Sequence, residues 1–193
     1  MDTSYWQYFL ALEQDLNKFS RYVEFSENNY NTYSIEFTRI YLSVCSEIDV
    51  VAKILSNNLG NPNAKNICDY KHTILATYPN LPNLDIQIPR YSLSLTPWSD
   101  WSSCDSPTWW QKYNKVKHQR DQYYHEANLQ NVLNAVAGLL VMNLYYLKQQ
   151  SSSSTGRSDI QMDYEMRSIL LIPVRFKREV LVNGYITWEG KIP

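Results

Sequence analysis

Val132-Leu133-Asn134-Ala135-Val136-Ala137-Gly138-Leu139-Leu140-Val141-Met142-Asn143-Leu144-Tyr145-Tyr146-Leu147 is apolar almost all round when wound into a helix. A helix of that kind has no face to give to water, so it belongs at the centre of a fold or in a subunit interface. Asn134 and Asn143 interrupt it, and it falls short of the ~20 residues a bilayer span needs. The expectation is a soluble, cytoplasmic protein with no membrane attachment. Working backwards, the helical pattern reaches Ser106, placed to cap, and Pro107, suited to a first helical position. Working forwards it reaches about Gln149. One long helix over 107–149 is predicted.

Amphipathic stretches lie upstream. Tyr5, Phe9, Leu12, Leu16, Phe19 and Val23 step by four and three behind an Asp2/Thr3/Ser4 cap. After a polar turn at 26–31, Phe37, Ile40, Val44, Ile48, Val51 and Leu55 mark a longer helix that stops near Gly60, with Pro62 just beyond. A third helix over 64–77 is built around Ile67, Tyr70 and Ile74. Short loops between such helices favour antiparallel packing. Pro79, Pro82, Pro89 and Pro97 then exclude a long helix, while Leu84, Ile86, Ile88 and Tyr91, Leu93, Leu95 alternate with polar neighbours as two short strands. Ser151 to Gly156 reads as a flexible linker. Ile169 to Phe176 and Glu179 to Trp188 read as strands, with Val182-Asn183-Gly184-Tyr185 as a hairpin turn. The predicted fold is mainly α. A four-helix bundle occupies 1–150 with an extended or β insertion at 79–104, and a Ser-rich linker and β-hairpin tail follow at 151–193.

Composition removes several function classes. With 18 basic and 19 acidic residues the formal charge is -1, so only a local basic patch can attract a polyanion. Five glycines leave little for phosphate-cradling loops. Cys45, Cys68 and Cys104 form no C-x-x-C pair and are expected to be free thiols. No Ser or Cys sits in a recognisable nucleophile context, and no carboxylate pair suited to glycoside chemistry can be located.

Chemistry concentrates in one run. From Trp109 to Arg120 the chain carries Lys112, Lys115, Lys117 and Arg120 and no acid, and it continues as Asp121-Gln122-Tyr123-Tyr124-His125. Cations for phosphate interleaved with flat rings such as Tyr113 and Tyr124 suit single-stranded RNA. The same run also reads as a solvated helix surface. On an unbroken helix Arg120 and His125 stand ~140° apart, whereas His118 and His125 lie within ~20° of one face, so either histidine is a candidate. His118, Asp121 and His125 follow metal-ligand spacing, but no cysteine or second acid completes the set, and no metal is expected. Trp98, Trp101, Trp109 and Trp110 form either a base-stacking platform or, more in keeping with such clusters, the closed end of a core. Glu47 and Asp49 either orient Arg120 across the bundle or are surface charges.

Arg120-Asp121-Gln122-Tyr123-Tyr124-His125 resembles the Arg-x(4–6)-His motif of the HEPN superfamily. The lead-in Tyr113-Asn114-Lys115-Val116-Lys117-His118-Gln119, and Glu47-Ile48-Asp49 with Lys53 on the second helix, resemble HEPN-like bacterial families. The resemblance covers roughly 1–150. It implies a helical bundle that homodimerises and brings two motifs into one cleft. Catalytic members are endoribonucleases of toxin–antitoxin, phage-defence and RNA-processing settings that need neither metal nor cofactor. On that reading Arg120 stabilises phosphate charge, His125 or His118 transfers the proton and Asp121 positions one of them. Lys112, Lys115, Lys117, Tyr113 and Tyr124 hold RNA, and a cognate antitoxin or defence partner is implied. The residue types suit the chemistry, since imidazole titrates near neutrality and guanidinium stays charged. The rival is a catalytically inert HEPN-like interaction module that dimerises or binds a protein partner.

Overall fold

The structure is a computed structural model that describes residues 3–104, 106–155, 160–162, 168, 171–173, 178–182 and 185–190. It is mainly helical. Helix α1 (Ser4–Phe19) buries Trp6, Phe9, Leu12 and Leu16, and Thr3 supplies no side-chain cap bond. Helix α2 (Ile35–Asn58) starts where the Ser34 hydroxyl accepts the Phe37 N–H at 3.0 Å, and the six apolar positions read from its pattern are all buried. Beyond it the chain turns through Gly60 at φ 95°, a left-handed conformation that needs a residue without Cβ. Helix α3 (Ile67–Thr77) is capped by the Asn66 side chain and buries Ile67, Tyr70 and Ile74. Strands β1 (Ile86–Ile88) and β2 (Leu93–Leu95) then pair antiparallel, with Ile86, Ile88, Leu93 and Leu95 turned inward.

The single helix expected over 107–149 is three helices: α4 (Thr108–His118), α5 (Arg120–Tyr123) and α6 (Leu129–Thr155), with a 3-10 turn at Tyr124–Glu126. From Lys117 to Gln122 every residue is polar, so burial holds no face of a helix there. Gln119 leaves the helical region at φ -142°, ψ 51°. Beyond the break, neighbouring chain takes up the backbone donors: Leu129 N–H reaches the Thr32 carbonyl at 2.9 Å and Gln130 N–H reaches that of Tyr30 at 3.2 Å. The Asn128 side chain accepts the Asn131 N–H at 3.1 Å and caps α6. Ser106 does not cap α4. The Asp100 carboxylate does, taking the backbone N–H and hydroxyl of Thr108 at 2.7 and 2.8 Å, an anion where the helix dipole favours one. Residues 151–155 are helical, which corrects the linker reading. Extending a formed helix by serine costs only about 0.5 kcal/mol per residue relative to alanine, and Ser151 is buried.

Helix α6 is the central element, packed on α1, α2 and α4. Gly138 allows the closest approach: a Cβ there would meet the Trp109 ring at 3.1 Å, and its carbonyl accepts the Trp98 indole N–H at 3.1 Å. Trp109 donates its own indole N–H to the Pro97 carbonyl at 2.6 Å. Trp98, Trp101, Trp109 and Trp110 are all buried, with Trp98 and Trp101 ring centroids 4.2 Å apart. The tryptophans are core and not a stacking platform.

The chain after α6 returns to the bundle. Strand β3 (Ile160–Met162) leads to β4 (Ile172–Pro173), which adds antiparallel to β1 to give the order β2-β1-β4. Just before β4, the fully buried Glu13 carboxylate accepts the Leu171 N–H at 3.0 Å and the Ser168 hydroxyl. Strands β5 (Arg178–Val182) and β6 (Tyr185–Gly190) form the expected hairpin with Val182 opposite Tyr185, and β3 joins them in the order β3-β6-β5. Asn183, Gly184 and most of the strand expected at 169–176 lie outside the described residues. Among the described residues, no helix is long and apolar enough to cross a membrane.

Candidate functional site

The break at Gln119 distributes the motif over three short elements. His118 ends α4, Arg120 and Asp121 open α5, and His125 sits in the 3-10 turn. All four are exposed. The spacing that resembled a metal stripe presupposed one continuous helix and is dissolved by the break. Among the described residues, no group of three His, Cys, Asp or Glu is placed to hold a metal.

The His125 side has its own partners. Its Nε2 lies 3.9 Å from a Glu126 carboxylate oxygen, and the same oxygen pairs with the Lys112 ammonium. Tyr123 lies against the His125 ring, and the Lys115 ammonium stands 5.1 Å above the Tyr123 ring. Lys112 is therefore committed to a carboxylate, which leaves Lys115 and Lys117 as the exposed lysines of the basic run. Tyr113 is corrected. It is buried against Tyr41 and Trp110, burial pushes its hydroxyl up to about 12, and its ring is not offered to a base. The Lys117 ammonium lies 5.6 Å from that ring.

Arg120 and Tyr124 instead face an open groove of about 850 Å³ whose other wall is α2. Its lining is Ile35, Thr38, Arg39, Leu42, Ser43, Arg120 and Tyr124. The α2 residues fall at i, i+3, i+4, i+7 and i+8, one helical stripe. Tyr33 supports Tyr124 edge to face with centroids 5.3 Å apart. His118, Asp121, His125, Lys112, Lys115 and Lys117 are not among the lining residues. Arg39 was missed in the sequence because the outer stripe of α2 was passed over in favour of its buried one. Its guanidinium bonds Glu36 at 2.8 Å and Asp15 at 3.1 Å, and Asp15 also holds Lys18 at 2.8 Å. Glu36 and Asp15 raise Arg39 above its ordinary value, while Lys18 first and Arg39 next hold the Asp15 carboxyl below its own. Asp49 accepts the Tyr70 hydroxyl at 3.1 Å, and Glu47 is raised by burial. Neither is the neighbour that Arg120 meets in the groove, where the facing charge is Arg39.

Compared with known proteins, the chain matches no family model, no curated protein and no solved structure.

Proposed function

We propose that the chain is a HEPN-like, homodimeric, metal-independent endoribonuclease of toxin or defence type. The supporting observation is the helix break at Gln119. Beyond it Arg120 and His125 are both exposed, and between them the backbone leaves regular helix at Tyr123 (φ -114°, ψ 21°), so the ~140° of a straight helix does not apply to the pair. In this reading α1, α2, α3 and the α4–α6 run make up the four-helix bundle, and two copies close one cleft around their motifs. The attacking ribose 2′-oxygen bonds to phosphorus and the P–O5′ bond breaks. His125, whose Nε2 lies 3.9 Å from the Glu126 carboxylate, exchanges protons with the 2′-hydroxyl and the departing 5′-oxygen. Arg120 holds the non-bridging oxygens as negative charge builds. Asp121 positions the pair, and Lys115 and Lys117 hold the RNA backbone.

Incubating labelled RNA with the purified chain in EDTA tests this. Expected products end in a 2′,3′-cyclic phosphate on one piece and a 5′-hydroxyl on the other. His125→Ala abolishes them and His118→Ala does not. Products carrying a 5′-phosphate, or cleavage that requires a divalent ion, would contradict the reading. Ile35, 75% exposed on the groove wall, favours the second reading of an inert module that binds itself or a protein partner. That reading gains if neither structured nor single-stranded RNA is cut.

A further inference from the structure

The groove between α2 and α5 differs electrostatically from a nucleic-acid channel. Arg39, the cation on its α2 wall, is bonded to Glu36 and Asp15, and Asp15 is shared with Lys18. Those four charges sum to zero. Arg120, on the opposite wall, has no ion pair or side-chain hydrogen bond among the described residues. The groove therefore presents one uncommitted guanidinium, where a polyanion needs a row of cations. The rest of its surface is apolar or weakly polar: Ile35 at 75% exposure, Leu42, the Tyr124 ring, and the Thr38 and Ser43 side chains. An Ile side chain left that open to water is exposed at a free-energy cost that burial under a ligand would remove. About 850 Å³ is also within the ~300–1,000 Å³ typical of small-molecule sites.

We propose that this groove binds a small amphiphilic monoanion, an apolar body carrying a single carboxylate-like head, with the head on Arg120 and the body against Ile35, Leu42 and Tyr124. The planar fork of Arg120 matches a carboxylate or sulfonate with two parallel hydrogen bonds. Tyr124, steadied edge to face by Tyr33, gives the body a flat wall. Binding does not depend on the ribonuclease reading. One consequence does rest on it: an occupied groove withdraws Arg120 from phosphate and inhibits cleavage.

The test compares two dyes with the same ring systems on the full-length chain. Anilinonaphthalene sulfonate carries one anionic group, and N-phenyl-1-naphthylamine carries none. The expected result is saturable binding of the sulfonate to natively folded protein, as judged by near-ultraviolet circular dichroism. Arg120→Gln weakens it about tenfold, as loss of a charged hydrogen bond predicts, and leaves the neutral dye unchanged. Ile35→Ser weakens both. Laurate displaces the sulfonate dye and dodecanol does so far less well. Unchanged sulfonate affinity in a folded Arg120→Gln protein would overturn the proposal, as would no binding to the native chain. Failure of laurate to displace the sulfonate dye would overturn it too. Because the readout is dye binding, these outcomes stand whether or not the chain cuts RNA. Cleavage that an occupied groove does not inhibit would remove Arg120 from the cleavage mechanism and leave the binding proposal standing.

Discussion

Around Gly138 and around Gln119, residues 107–149 meet opposite fates. At Gly138 the absent side chain lets α6 approach the Trp98–Trp101–Trp109 cluster, and both Trp98 and Trp109 find a carbonyl for their indole N–H. At Gln119 six consecutive polar residues leave nothing to bury, the helix stops, and Arg120 emerges exposed on the groove wall. The first region defines the fold and has little left over for a ligand. The second contributes little to burial and keeps its cation uncommitted. Stability and binding should therefore separate when the two are mutated.

The largest effect is expected at the seam. Trp109→Ala removes a large buried ring and should cost ~3–5 kcal/mol, while Gly138→Val should cost ~1–3 kcal/mol by forcing the Trp109 ring aside. Guanidinium unfolding measures both, and a seam tolerant of either change would erase the contrast.

The end of the break toward α6 sharpens it. Asn128→Ala leaves the Asn131 N–H without its side-chain acceptor and should cost about 1 kcal/mol, with faster amide exchange confined to the first turn of α6. Unchanged exchange there would mean that the pairing of 128–130 with 30–33 alone holds that helix start.

Which parts were legible follows from the same physics. The apolar faces of α2 and α3 and the β1–β2 pair came from periodicity, because each segment buries one side; of the stripe read for α1, Phe9, Leu12 and Leu16 are buried, Val23 lies beyond the helix end, and the buried Trp6 was passed over. The breadth of apolar surface on 132–147 marked the centre. The break was missed because Ser106-Pro107 and the apolar run seemed to bracket one helix, although polar 117–122 and the Asn128 cap signal lay between them. Tyr113 looked like a ring among lysines, yet it occupies the inner side of α4 with Trp109, Trp110 and Val116. The Arg39–Asp15 pair and the bonds of Glu13 to Ser168 and Leu171 depend on contacts across 24 and about 155 residues, distances that no local pattern spans. Arg120 was legible as a candidate, and its neighbours were not.

The smallest effect belongs to the charge network beside the groove. Asp15 has a folded pKa below its unfolded one, so its pairing with Lys18 and Arg39 stabilises above about pH 4 and is lost as pH falls through the depressed value. Asp15→Asn should therefore cost less than ~1 kcal/mol at pH 7, as exposed pairs do, and the gap from the wild type should close at acid pH. A gap that persists at acid pH would assign the loss to something other than charge.

The most direct test of the separation is Arg120→Gln assayed for RNA cleavage in EDTA alongside its guanidinium unfolding midpoint. The account predicts stability within ~0.5 kcal/mol of the wild type and cleavage abolished. A stable variant that cuts RNA as the wild type does would contradict it.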